Sequence, residues 1–239
     1  MAMILIGIDD TDNATSRGTG YLARTLLAEC ARRGARDRGV TRHQLLVDPR
    51  IPYTSHNSAA CLAVETDDGA GSLGFAHDYV AARAAEGSDP AVCIARADDV
   101  RPEIIEFGRR AVSHIVEMAE ALRLGGSDGF QLRELGGSGL GVIGALAAVG
   151  LRASGNNGRF IDMPGLRELP DRVGSADLVR LGIRLLHQGE RAPGPADAHE
   201  TLGWVRPRLI GGGPVLPVQW SEEQNAWIPV DRRQGHSRR

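Results

Sequence analysis

An α/β protein in two units is the fold class that this sequence predicts, and three observations carry the prediction. Short apolar runs of strand character alternate with stretches of helical spacing through the first 120 or so residues, the pattern of an α/β unit. The stretch Gly125-Gly126-Ser127-Asp128-Gly129 is small, polar and flexible, and it separates two segments that are each near typical domain size. At 239 residues, 42% apolar and 24% charged, the chain has the composition of an ordinary soluble globular protein and can bury a substantial core. The expected units are residues 1–125 and 126–230, with an Arg-rich tail at 231–239 that has no apolar residue and should be disordered.

The elements follow in order. Met3-Ile4-Leu5-Ile6-Gly7-Ile8 is too short for a membrane span and reads as a buried strand that ends in Asp9, Asp10 and Asp12. Leu22, Leu26 and Leu27 recur at helical spacing, with Arg24, Glu29, Arg32 and Arg33 on other faces, so 20–35 reads as a helix stopped by Gly34. A polar connection over 36–40 leads to a strand at 42–47, stopped by Pro49 and Pro52, and 58–66 is a third strand. A Gly/Asp-rich loop precedes a helix at 75–85, and Asp89-Pro90 turns the chain into a short strand at 91–95. Pro102 opens a helix expected to continue to Leu122, since proline at the first turn gives up an N–H with no intrahelical partner. Beyond the glycine stretch come a strand at 130–135, a glycine-rich turn at 136–141 and a helix at 142–149. A helix over 175–186, a Pro/Gly/Ala loop at 188–199, and strands at 201–210 and 215–220 complete the chain.

Composition narrows the chemistry. The net charge of −2 gives no overall attraction to nucleic acid. All 28 basic residues are Arg, so a phosphate-binding loop of the Gly-x-x-x-x-Gly-Lys type is impossible, and a phosphate clamp must be Arg, metal or backbone N–H. Cys30, Cys61 and Cys93 are single and set among apolar neighbours, which indicates neither a disulfide framework nor a zinc site. With no signal peptide and no apolar run approaching 18 residues, the chain reads as cytoplasmic, with no membrane partner.

Chemistry concentrates at the end of the first strand. Asp9, Asp10 and Asp12 repel one another at separations of about 4–7 Å, more strongly in a low dielectric. A hard cation such as Mg²⁺, which takes oxygen ligands and bridges phosphates, is the natural counter-charge. The plainer reading is a strand end whose acids are solvated in a turn.

Four blocks carry a family resemblance. Asp9-Asp10-Thr11-Asp12 with Thr19 and Tyr21 resembles the opening of the archaeal tRNA-isoleucine agmatidine synthetases. Asp48-Pro49-Arg50-Ile51-Pro52-Tyr53 with Asn57, then Asp89-Pro90-Ala91-Val92, then the run from Gly139 to Gly150 follow in the same order. The resemblance spans roughly residues 3 to 220, and its first and last blocks are the most specific. It implies an N-terminal kinase-like unit followed by a ferredoxin-like α+β unit. It also implies an activity that uses ATP to activate a cytidine carbonyl in tRNA before agmatine is attached. By the same resemblance Asp9, Asp10 and Asp12 would hold metal and orient the γ-phosphate, Thr11 would hydrogen-bond a phosphate or a neighbouring carboxylate, Asn57 would contact nucleotide or substrate, and Thr19 would be phosphorylated by the enzyme itself. A helix cap is the other reading of Thr19, since a hydroxyl can accept from an N–H two or three residues on.

The chain also departs from the family pattern. Gly137, Ser138 and Leu140, and likewise Thr54 and His56, stand where the family has basic residues, and the family's OB-fold and zinc modules are expected to be missing. Because phosphate contacts supply much of nucleic-acid affinity, tRNA is a disfavoured partner. A small amine or carbonyl acceptor is expected instead.

Other motifs weigh less. Gly139-Leu140-Gly141-Val142-Ile143-Gly144 matches Gly-x-Gly-x-x-Gly without a clean βαβ unit, so Gly139 and Gly141 read either as an anion-friendly helix start or as tight packing. Asp10-Thr11-Asp12 also resembles the nucleophile loop of haloacid-dehalogenase-type phosphatases, but the Lys and second acidic pair of that scheme find no convincing match. The seven histidines form no metal spacing, and Trp204, Trp220 and Trp227 read as core anchors of the second unit. The expectation is therefore Mg²⁺- and ATP-dependent phosphoryl transfer or ligation, against a non-catalytic nucleotide-binding or regulatory homologue or a truncated tRNA-modifying enzyme, with a homo-oligomer left open.

Overall fold

β1 (Ala2–Asp9) organises the first part of the molecule because its two faces are both covered. Ile4, Ile6 and Ile8 pack with Leu22, Leu26 and Leu27 of α1 (Thr19–Arg32), while Leu5 on the other face joins Ala145 and Val149. A strand buried on both faces reads as a continuous apolar run, which is the run seen in the sequence. In this computed structural model residues 1–53, 56–194, 196–201 and 204–230 are described.

β1 runs antiparallel between β3 (Ser58–Thr66) and β4 (Ala91–Arg96). β2 (Arg36–Gln44) follows beyond β3, and β5 (Phe130–Glu134) beyond β4. α1 and α2 (Phe75–Ala81) cover one face of this sheet. α3 (Pro102–Ser113), α4 (Met118–Gly125) and α5 (Gly141–Ala153) cover the other. The closest approach is α5 on β1. Gly7 pairs with Cys61 on one side and Cys93 on the other, a row of small residues under the helix. A Cβ on Gly7 would overlap the Ala145 carbonyl, and one on Gly144 would overlap the Asp9 carboxylate. Fully burying each of Val142, Leu146, Val149 and Leu151 contributes about 1.5–3 kcal/mol, so the helix is held firmly in this groove.

The first unit extends past the glycine stretch, which was expected to divide two domains. β5 pairs with β4 from Ala91↔Glu134 to Ala95↔Phe130, and α5 shares the core of α3 and α4, so 125–129 connects elements of one unit. The core changes instead at β6 (Arg159–Asp162). β6 pairs with β2 through Thr41↔Phe160, and with β10 (Arg208–Ile210) through the single pair Arg208↔Arg159. Beyond that narrow joint a third cluster gathers Phe160, Leu166, Leu178, Leu209, Val218 and Trp227. The joint makes one sheet of the described strands, continuing through β11 (Gly213–Ser221), β12 (Ala226–Pro229), β9 (Ala198–Glu200) and β7 (Arg172–Gly174).

Three further elements differ from expectation for local reasons. The polar segment 36–40 is strand rather than connection, since Arg38 Nη2 lies 2.7 Å from Glu65 Oε2 on β3 and Gly39, at φ +88°, absorbs a bulge. The helix expected from 102 to 122 breaks after Ser113, where His114 is extended and the β-branched Ile115 and Val116 follow. An Arg110–Glu120 ion pair of 2.6 Å spans the break. The segment 175–186 is helical only in α6 (Ser175–Arg180); Gly182, at φ +80°, then turns the chain into β8 (Arg184–Gln188), parallel to β11. Of the strand expected at 201–210 only β10 forms, and Leu202 and Gly203 lie outside the described residues, as do Thr54 and the expected tail 231–239. Among the described residues no helix is long and apolar enough to cross a membrane.

Candidate functional site

The blocks singled out in the sequence meet at one edge of the sheet. Asp9 pairs with Ala91, Ala91 with Glu134, Ile8 with Ala60 and Gln44 with Ser58. That register places the end of β1, the starts of β3 and β4, the end of β5 and the first turns of α1 and α5 side by side.

The loop after β1 is tied from within. Thr19 Oγ1 donates to Asp12 Oδ1 at 2.9 Å and accepts from the Thr11 N–H at 3.3 Å and the Thr11 hydroxyl at 3.0 Å. The Thr11 carbonyl in turn accepts from the Ala85 N–H at 3.0 Å, and the Asn13 side chain closes the turn by accepting from the Thr15 and Ser16 N–H groups. Thr19 is 7% exposed. It is the first residue of α1 rather than its cap: Gly18, at φ +87°, holds the cap position, and no side chain caps the helix. The expected capping role is therefore not the one its hydroxyl plays.

The other acids lie on the far side of this knot. Burial pushes the Asp9 carboxyl up to about 7, against a hydrogen bond from the Asp10 N–H and reinforced by the charges of Asp10 and Asp12. Asp10 sits at φ +48°, a left-handed conformation that Asp tolerates better than most residues. Its carboxyl is also raised, by burial first and then by the Asp89 charge, while a bond from the Asp89 N–H opposes. Asp89 accepts from Ser138 N–H at 2.8 Å and from the Ser138 hydroxyl. Gly137, at φ +68°, allows that approach, since a Cβ there would overlap Asp89. The Gly137-Ser138 pair thus clasps an acid at the place where the family has basic residues.

The glycines of the third motif serve close packing. A Cβ on Gly141 would overlap the Asp89 carbonyl, and one on Gly139, at φ +82°, would sit 2.8 Å from Glu134 Oε2. Asn57 Nδ2 donates to the Leu46 carbonyl at 2.6 Å, which ties the segment after β2 to the start of β3. Among the described residues no three of His, Cys, Asp or Glu converge as a ready-made metal cage. Mg²⁺, however, commonly takes one or two carboxylates together with phosphate oxygens, and two raised, mutually repelling carboxylates fit that use.

A cavity of about 330 Å³ opens on the other side of the Asp12–Thr19 pair. Its lining includes Arg17, Arg24, Arg42, Arg167 and Arg206, with His56, Tyr21 and Trp204, and Asp12 is its one acid among the described residues. The Arg17 guanidinium lies 3.8 Å from the Tyr21 ring centre and the Arg206 guanidinium 3.8 Å from that of Trp204. Sequence reasoning missed this cleft and expected Trp204 as a core anchor. Trp204 is 42% exposed, while Trp227 is fully buried. The visible signal was Tyr21 and Arg24 at three-residue spacing on α1, with Arg17 just before the helix folding back over the Tyr21 ring.

Comparison with known proteins gives one consistent answer. The chain is 32% identical over 156 residues to the tRNA 2-agmatinylcytidine synthetase TiaS of Methanosarcina acetivorans, which covers 62% of this chain and 35% of that protein. It is 30% identical over 152 residues to TiaS of Archaeoglobus fulgidus, with the same coverage. Among solved structures, a complex of TiaS with its tRNA and ATP superposes with a TM-score of 0.54 at 28% identity, covering 63% of this chain and 36% of that one. Apo TiaS gives 0.53 at 28% identity, covering 62% of this chain and 35% of that one. No family model matches. The chain is similar to the agmatidine synthetases, as its motifs indicated, and spans about a third of the length of the curated relatives it matches.

Proposed function

We propose that the sheet edge around Asp9, Asp10, Asp12 and Thr19 is an ATP- and Mg²⁺-dependent phosphoryl-transfer or ligase site. The observation that carries this reading is the meeting of the strand-end acids, the Asp89 turn and the start of α5 beside the loop that the Thr19–Asp12 hydrogen bond ties. Its support is the similarity to TiaS, whose solved complexes include ATP. Bound Mg-ATP would supply an activated phosphoryl group and the charge that two close carboxylates lack.

The protein's own contribution is position and charge. Asp9 and Asp10 supply oxygen donors held by burial, Asp12 stands where it can take the Thr19 proton, and the knot through Thr11 fixes both. Asn57 sets the neighbouring segment rather than reaching into the acids, so a nucleotide contact by Asn57 requires the ligand to come to it. Gly139 and Gly141 seat the start of α5 against Asp89 and Glu134. The kinase-like and ferredoxin-like character of the two units and a cytoplasmic location belong to the same reading. So does an acceptor smaller than tRNA, although the relatives act on tRNA.

The test is thermal stability with nucleotide. Mg-ATP at 100 times its dissociation constant should stabilise the protein by about 2.7 kcal/mol. The shift should vanish in Asp10→Asn and Asp12→Asn. Absence of any shift with every nucleotide in the wild type refutes the assignment.

A further inference from the structure

We propose that the arginine-lined cleft beside Thr19 binds a small organic phosphate that carries a planar ring, and not a cationic amine. Binding in this cleft stands on the cleft's own lining, and only its link to phosphoryl transfer rests on the site proposed around Asp10.

The charge of the lining favours an anion over a cation. Five arginines and one aspartate line the cavity, and agmatine carries two positive charges at neutral pH. Arg17 comes from the loop before α1, Arg24 from α1, Arg42 from β2, and Arg167 and Arg206 from segments that follow β6 in the chain. Folding has therefore gathered like charges from distant parts of the sequence. Arg24 registers this: its guanidinium is held below the usual arginine range by burial first and then by Arg167 and Arg17, with Asp162 opposing. An arrangement of this kind is stabilised when an anion enters, and guanidinium is the group best matched to phosphate geometry.

The ring follows from the walls. Tyr21 lies beneath Arg17 and Arg24 on one side, and Trp204 beneath Arg167 and Arg206 on the other. Trp204 is 42% exposed, so part of its ring stays open to a second ring beside Arg167 and Arg206. Size selects the class. About 330 Å³ lies at the small end of ligand pockets and suits one ring with its phosphate rather than a strand of nucleic acid. Asp12 and Thr19 line this cavity and also face the acids around Asp10, so a ligand here reaches the proposed transfer site.

The probe is phenyl phosphate, titrated by calorimetry and by tryptophan fluorescence without any divalent cation. Agmatine and a short single-stranded RNA serve as comparison arms. Saturable binding of phenyl phosphate is expected, weakened about tenfold or more in Arg17→Gln and in Trp204→Ala, weakened by salt, and retained in Asp10→Asn. Agmatine should not compete. The proposal falls if phenyl phosphate does not saturate, or if both cleft variants bind it as the wild type does. It also falls if RNA binds a hundredfold more tightly with the same sensitivity to those variants. Loss of the Mg-ATP shift in Arg17→Gln would make the cleft part of the nucleotide site and overturn it too. A wild type that binds phenyl phosphate but shows no Mg-ATP shift leaves this inference standing and removes the phosphoryl-transfer reading.

Discussion

Thr19 Oγ1 donates to Asp12 Oδ1 at 2.9 Å between residues seven apart in sequence, and both line the arginine cavity while Asp12 also feels the charge of Asp10. A hydroxyl bonded to a carboxylate at that distance has a base in place to accept its proton. Incubation with Mg-ATP should therefore place phosphate on Thr19, seen by intact mass and peptide mapping, and Asp12→Asn should abolish it. No added mass under any condition leaves Thr19 as a structural tie alone.

As a tie, Thr19 should matter more than an exposed threonine would. Thr19→Val keeps the volume and leaves Asp12 and Thr11 without their shared partner, which should cost about 1–3 kcal/mol in urea unfolding. Thr19→Ser should recover most of that loss. Equal stability of the valine variant and the wild type would show that the knot rearranges freely.

Asp9 predicts a pH dependence with a definite sign. Its folded value, about 7, lies above the ordinary 3.8, so the native state binds the extra proton. The contribution is full below the unfolded value and is lost as pH rises from about 4 to about 7. Asp9→Asn should flatten that part of the stability profile. Mg²⁺ should stabilise the wild type more at pH 8 than at pH 5.5, because metal competes with the proton. A Mg²⁺ effect independent of pH would separate the metal from Asp9.

The third core gives the opposite slope. His199 is 1% exposed, neither ring nitrogen has a hydrogen-bond partner among the described residues, and burial followed by the charge of His187 pushes it down to about 4. A base with a depressed folded value contributes stability above its unfolded value near 6.5, and that stability is lost as pH falls toward 4. The His187 ring stands 4.5 Å from that of Trp227. Acidification should therefore change tryptophan fluorescence as this core loosens, and His199→Phe should suppress the change. The two slopes oppose each other between pH 4 and 6.5, so each is read in its own variant.

Packing of α5 is tested with glycine pairs. Gly144→Ala drives a methyl into Asp9 and should cost about 1–3 kcal/mol while weakening any Mg-ATP shift. Gly71→Ala, with open space around it, should be tolerated within about 0.5 kcal/mol. Equal tolerance of both would mean that the helix moves out of its groove at no cost.

What the sequence made legible was what is contiguous in it. The acids of 9–12, Thr19 and the glycines of the α5 turn are local motifs, and β1, β3 and β4 announced themselves by apolar runs, whereas the polar first half of β2 did not. The arginine cleft was not legible, because Arg17, Arg42, Arg167 and Arg206 come from separate elements whose meeting depends on the β2–β6 pairing. Asp89 looked like a turn residue, and only the fold shows it facing Asp10. The domain limit was misplaced because a glycine-rich stretch signals a flexible connection, and nothing local tells whether the strand beyond it returns to the same sheet.

The small row Cys61–Gly7–Cys93 makes this protein its own chemical clock. Burial pushes both thiols above their ordinary range, Cys61 to about 12, so in the closed protein they are almost wholly un-ionised and screened by α5. Alkylating reagents react with thiolate, hence only with molecules in which that helix has lifted from the sheet. The rate of labelling at these two cysteines, followed with and without nucleotide, therefore times how often the wall behind Asp9 opens.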